Sequence, residues 1–211
     1  MQVSDQIHNV SFIPAEMSPR AAYQLLISLV VPRPIGWISS RGVDGSINLA
    51  PFSFFNAVGG NPPTVMVSIS ERRGEQKDTL RNLSETREFV LNVVSEELAQ
   101  AMNATSGDYP YGDNEFLRAG LNMQPSSDVQ PPRVFEAKAA LETRVTQMLR
   151  VNGTGYTLVL GQIVRIHVRS DLVRENGTVN PELLKPLGRL GGPEYASLGQ
   201  VIRMERSQVS R

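Results

Sequence analysis

Apolar and polar residues alternate along much of the chain, and this pattern predicts strands more often than helices. Ile35 to Ser40 and Ile47 to Ala57 read as two strands around the turn Arg41-Gly-Val-Asp-Gly-Ser46. Asn61-Pro-Pro63 breaks the pattern, and the β-branched run Thr64 to Ser70 predicts the next strand. Glu88 to Val94 predicts another. Ala139 to Leu149 and Tyr156 to Val168 predict two long strands, joined through the hairpin signal Asn152-Gly-Thr-Gly155.

Helical spacing is confined to short stretches. Met17 to Ser28 predicts a helix, with Ser18 as N-cap and Pro19 at its first position, ended by Val31-Pro-Arg-Pro34. Lys77 to Thr86 predicts a short helix capped by Asp78. Ser95 to Asn103 predicts a third, with Ser95 as N-cap and acids in its first turn. Asn114 to Gly120 predicts a short helix closed by glycine, and Val179 to Leu184 a helical turn. Residues 1–13 read as a leading arm, 106–114 as a loop, 122–133 as irregular and 187–195 as a glycine-rich segment. About six or seven strands with scattered helices imply one mainly β domain over 1–211, a closed or nearly closed antiparallel barrel with peripheral helices.

Composition narrows the function. The 211 residues hold 21 basic and 21 acidic side chains, for a formal net charge of 0. That balance gives no footprint for nucleic acid. No apolar run approaches the length of a membrane span, and the N-terminus lacks a signal-peptide pattern. Cysteine is absent, which removes disulfides, thiolate metal sites and cysteine nucleophiles and is compatible with the cytoplasm. With only two histidines, His8 and His167, a histidine-rich metal site is not expected. The dinucleotide fingerprint, the Walker loop, the nucleophile elbow and the zinc-protease motif are all missing, so hydrolases find little support.

What remains is a concentration of rings, hydroxyls and amides in Arg33 to Ser40 and Asn48 to Asn56. A flat, polar, phosphate-bearing ligand needs such faces and donors. Lys77-Asp-Thr79 precedes a helix, where free N–H groups, the dipole, an ammonium and a hydroxyl favour phosphate; an ordinary capped helix is the plainer alternative. Trp37, Phe52, Phe54 and Phe55 are core residues by default, whereas a buried Asn56 amide would need a partner. Arg33, held between two prolines, is either an anion anchor or an exposed turn residue. Arg189-Leu-Gly-Gly192 offers a basic side chain beside adaptable backbone, and Asp108-Tyr-Pro-Tyr111 offers a ring over a pocket or a simple turn.

Together, Arg33-Pro-Ile-Gly-Trp-Ile-Ser-Ser40, Asn48-Leu-Ala-Pro-Phe-Ser-Phe-Phe-Asn56, Pro62-Pro-Thr-Val-Met-Val-Ser68, Lys77-Asp-Thr-Leu-Arg-Asn82 and Glu88-Phe-Val-Leu-Asn92 resemble the flavin reductase-like family of FMN-binding split-barrel proteins, flavoredoxin-type members included. The resemblance implies a homodimeric split β-barrel with one FMN per subunit near the dimer interface. It implies that Trp37, Ile38, Ser39 and Ser40 line the flavin, with the serines at the ribityl-phosphate. Ala50, Pro51, Ser53, Phe54, Phe55 and Asn56 would follow the isoalloxazine. Lys77, Asp78 and Thr79 would hold the phosphate end, and Arg189 and Tyr195 would reach the site from one subunit or the other. It also implies electron transfer from NADH or NADPH through FMN to free flavin, oxygen, an oxygenase or an electron-transfer partner. An electron carrier without direct NAD(P)H oxidation and a non-catalytic flavin-binding dimer are the alternatives.

Overall fold

The computed structural model describes residues 9–72, 74–205 and 207. The expectations for His8 and for the start of the leading arm lie outside the described residues. Seven strands form one antiparallel sheet: β1 (Gly36–Arg41), β2 (Ile47–Phe52), β3 (Phe55–Gly60), β4 (Pro63–Ser70), β5 (Glu88–Val93), β6 (Ala139–Val151) and β7 (Tyr156–Val168). Their spatial order is β2-β1-β5-β6-β7-β4-β3.

That order explains the barrel. β2 and β3 occupy opposite edges of the sheet, yet only Ser53 and Phe54 separate them in the chain. Flat, the sheet would be six inter-strand spacings wide, roughly 29 Å. A two-residue connection reaches about 10 Å at most. The sheet must therefore curl until its edges approach, and the residual gap is a split crossed by Phe52-Ser53-Phe54-Phe55. The single strand expected over Ile47 to Ala57 is corrected accordingly. Its apolar run is continuous, so sequence pattern alone does not show the change of edge.

Side-chain alternation sorts the core onto two faces. Ile38 points into a cluster with Phe52, Val67, Ile69, Phe89, Leu91 and Val159, which Leu80 and Leu83 of α2 (Asp78–Thr86) close. Its neighbour Trp37 points the other way, among Leu49, Met102, Phe116, Leu121 and Val134. That second cluster lies beneath α3 (Ala99–Ala104) and α4 (Glu115–Arg118).

Helix ends follow local chemistry with two corrections. Ser18 caps α1 (Pro19–Leu29), accepting from the Ala21 N–H at 3.2 Å. The N-cap of α2 is Lys77, not Asp78, and no side chain caps that end. Ser95 precedes a 3-10 turn, Glu96–Leu98, that runs into α3, and its side chain caps no N–H. Asn114 caps α4 by accepting from the Phe116 N–H at 3.0 Å. The hairpin at Asn152-Gly-Thr-Gly155 joins β6 to β7 as expected. Among the described residues no helix is long and apolar enough to cross a membrane.

Candidate functional site: two cavities along one strand connection

A cavity of about 460 Å³ opens at the N-terminus of α2. Ala50, Pro51 and Phe52 of β2 form one wall, and Lys77, Asp78, Thr79 and Arg81 form another. Residues 105–107 and 109–111, with Arg72, close the rim. The first N–H groups of α2 have no intrahelical partners and no side-chain cap, so the positive end of the helix dipole faces this space. Three cations surround it. The Lys77 ammonium lies 5.6 Å from the Phe52 ring centroid, and Arg81 stacks on Tyr111 at 4.5 Å. Arg72 pairs with Asp108 across the rim.

Burial shapes the charges. Desolvation lowers the Lys77 pKa, and nearby Arg72 lowers it further. Desolvation raises the carboxyls of Asp78 and Glu115. The Lys77 ammonium is thus held in a space that penalises uncompensated charge, which an incoming anion relieves.

The floor is a buried polar network. The Glu115 carboxylate accepts from the Leu49 N–H at 2.9 Å. Asn48 sits between Glu115 and Thr79, with its amide 2.9 Å from the Thr79 Oγ1. The Asn82 amide donates to the Ser40 Oγ at 3.1 Å.

A second cavity, about 490 Å³, is mainly apolar. Leu26 of α1, Val30 just beyond it, Pro34, Phe54, Phe55, Met66 and Leu158 line it, with Arg33, Ser53, Asn56 and Ser68 as polar contributors. The β2–β3 connection links the two cavities: Ala50 to Phe52 belong to the first and Ser53 to Asn56 to the second. One face is therefore cationic and rich in donors, the other apolar, and the chain crosses between them at the split.

The flavin reductase like domain family matches residues 28–186. The chain belongs to this family. An uncharacterized protein of Aquifex aeolicus (strain VF5) is 41% identical over 88% of this chain and 94% of its own length. The crystal structure of nitrilotriacetate monooxygenase component B from Bacillus cereus superposes with a TM-score of 0.91 at 33% identity, covering 94% of this chain and 100% of that one. The 2-nitrobenzoate 2-nitroreductase NbaA of Pseudomonas fluorescens gives 0.86 at 30%, covering 94% and 96%. The architecture is the split barrel of flavin reductases, and the family's chemistry is flavin-related oxidoreduction.

Measured against that family, the sequence-derived residues divide into three groups. Ala50, Pro51, Lys77, Asp78 and Thr79 meet at the polar cavity, and Tyr109 and Tyr111 supply rings to its rim. Ser53, Phe54, Phe55 and Asn56 meet at the apolar one. The side chains of Trp37, Ile38, Ser39 and Ser40 line neither and have no exposed surface. β1 is an interior strand, paired with β2 on one side and with β5 over Gly36 to Ser39 on the other. Trp37 donates to the Thr105 Oγ1 at 2.9 Å, and Ser39 donates to the Pro132 carbonyl at 2.5 Å. The Ser39 hydroxyl is thus donated within the protein and the Ser40 Oγ accepts from the Asn82 amide, and both are buried outside the two cavities, whereas the resemblance sets them at a phosphate.

Two further expectations change. Asn56 is exposed, and its side chain accepts from the Ala57 N–H at 2.8 Å, so it is not a buried amide in need of a partner. Arg33 is buried, not an exposed turn residue, and borders the apolar cavity. Its guanidinium donates to the carbonyls of Ile27 at 2.7 Å and Leu190 at 2.8 Å, tying the end of α1 to the C-terminal segment. Arg189 lines neither cavity within one subunit; it donates to Tyr195 and to the Gly192 carbonyl, and its strand position pairs with Arg33.

Sequence reasoning missed Arg72, Arg81, Asn48 and Glu115. Arg81 was accessible, because position i+4 from Lys77 shares its helix face. Glu115 was not: 66 residues separate it from Leu49.

Proposed function

We propose that this chain is an FMN-dependent NAD(P)H:flavin oxidoreductase that acts as a homodimer and passes electrons to free flavin or to an oxygenase partner. The observation that carries the proposal is the junction of a cationic, helix-capped cavity with an apolar one along a single strand connection. FMN has the matching polarity, a phosphate at one end and a ring system at the other. The donor set fits a phosphate monoester: the Lys77 ammonium, the Thr79 hydroxyl, the free N–H groups of α2 and the Arg81 guanidinium. When bound, FMN supplies hydride and single-electron chemistry. The protein's own task is to hold and orient it. Pro51 to Phe55 would run beside the ring, and the apolar cavity would exclude water from the face where a nicotinamide stacks. The similarity to an oxygenase component B supports the oxygenase as electron acceptor.

The test is an absorbance spectrum of the purified protein before and after anaerobic addition of NADH or NADPH. Flavin bands that bleach support the reductase and identify the nucleotide. Bands that persist leave an electron carrier, and no bands after added FMN overturn the proposal. Replacing Lys77 and Thr79 together by alanine is expected to weaken FMN binding tenfold or more, at roughly 1.4 kcal/mol per tenfold. Riboflavin, which lacks the phosphate, should bind both forms alike.

A further inference from the structure

The Asn48 amide can point two ways, and the two orientations have different consequences for Thr79. In the first, its nitrogen donates to the Glu115 Oε1 at 3.2 Å, and its oxygen accepts from the Thr79 hydroxyl at 2.9 Å and from the Leu49 N–H at 3.3 Å. The single hydroxyl proton of Thr79 is then consumed inside the protein. In the second, the nitrogen donates to the Thr79 Oγ1 at 2.9 Å and approaches the Ser40 Oγ at 3.4 Å. Thr79 now accepts, and its proton is free for a ligand. The second orientation sets the Asn48 nitrogen 3.3 Å from the Leu49 nitrogen, whose N–H is already held by the Glu115 Oε2 at 2.9 Å. It also sets the Asn48 oxygen against the Glu115 Oε1, two acceptors in contact. A proton on that carboxyl turns this repulsion into a hydrogen bond.

We infer that Glu115 is a proton-linked positioning residue for the anion site: when its carboxyl is protonated, Asn48 turns toward Thr79 and the Thr79 hydroxyl becomes a donor to the ligand's phosphate. This rests on the reading that a phosphate monoester sits at Lys77 and Thr79. The surroundings of Glu115 suit the role. It is buried, desolvation already favours its neutral form, and Asp78 of α2 and Asp113 ahead of α4 favour it further. β2 presents the Leu49 N–H, which favours the carboxylate. α3 carries no charged side chain, and the cations Arg72, Lys77 and Arg81 line the cavity itself. Binding raises the Glu115 pKa above its free value. Affinity is therefore greatest below the free-state pKa, falls as pH rises toward the bound-state pKa, and levels off above it.

The experiment is FMN binding by fluorescence quenching from about pH 5 to 8 with wild type, E115Q and T79V. The second ionisation of the phosphate lies near pH 6, and the ratio of wild-type to E115Q dissociation constants cancels it. Glutamine is the neutral mimic, since its amide donates to the Asn48 oxygen while its carbonyl keeps the Leu49 bond. The expected ratio is near one at the acid end and about tenfold at the alkaline end, the difference between a charge-assisted and a neutral hydrogen bond. Placing T79V in both backgrounds should flatten the ratio, and riboflavin should give a flat ratio throughout. A ratio that does not move with pH overturns the inference, as does one that moves equally without the Thr79 hydroxyl or with riboflavin. Failure of wild type to bind FMN at any pH instead refutes the proposed function. Should E115Q not fold, calorimetry in two buffers of different ionisation enthalpy compares proton uptake on FMN binding by wild type and T79V. Uptake lost in T79V supports the coupling, and equal uptake overturns it.

Discussion

Replacing Trp37 by phenylalanine separates a packing role from a flavin-contact role. The indole is fully buried in the cluster beneath α3 and α4 and lines neither cavity. Its one polar atom donates to the Thr105 Oγ1 at 2.9 Å. Phenylalanine removes about three buried heavy atoms, worth roughly 2 kcal/mol at the transfer value for buried carbon. Losing the indole hydrogen bond adds about 1 kcal/mol. Thr105 keeps its own bond to the Met102 carbonyl at 2.7 Å, so no further buried group is orphaned. The total is about 3 kcal/mol. For a chain of this size that corresponds to a Tm lower by about 6–12 °C. Thermal unfolding by circular dichroism, with both proteins at one concentration, reads this directly. FMN affinity should stay within about threefold, because the Trp37 side chain lines neither cavity and its polar link toward one is the hydrogen bond to Thr105. An unchanged Tm accompanied by a large loss of flavin binding would refute the reasoning and return Trp37 to the flavin.

Two other perturbations probe the barrel and its ion pairs. In Gly161→Ala, the new Cβ would lie 2.8 Å from the Phe89 ring of β5 and closer still to the Thr143 Cγ2 of the adjacent β6, both buried. A loss of about 1–3 kcal/mol in urea unfolding is expected, and wild-type stability would show that the β6–β7 pair yields more easily than its packing implies. The hydrogen bond from Lys138 holds the Glu97 carboxyl down to about 2, against an ordinary 4.5. A depressed acid contributes stability that is present above the ordinary value and lost as pH falls through the folded one. The carboxyl is half exposed, so the gain at neutral pH is about 1 kcal/mol or less. The stability difference between wild type and Glu97→Gln should shrink between about pH 4.5 and 2; a difference constant across that range would exclude the ion pair as its source.

Strand identity, the β6–β7 hairpin, the Ser18 cap and the phosphate-suited end of α2 were legible in the chain. Each depends on neighbours a few residues apart, where alternation, glycine and capping chemistry act directly. The resemblance motifs also pointed to the β2–β3 region, which lines both cavities. Pattern failed wherever the answer depended on which surface covers a residue. Trp37 to Ser40 carry attractive chemistry, yet β1 lies in the sheet interior and both of its faces are occupied. Asn56, read as buried, ended exposed because β3 is an edge strand. Arg33, framed by prolines, was consumed by the carbonyls around the end of α1 and at Leu190. The sequence by itself thus determined which segments are strands and where a phosphate-suited helix begins. Only the tertiary structure decided that β2 and β3 leave from opposite edges, that their short connection curls the sheet, and that Glu115 reaches Leu49 across 66 residues. The reason is range: local pattern sets backbone conformation, while burial and charge pairing arise from contacts that no local window contains.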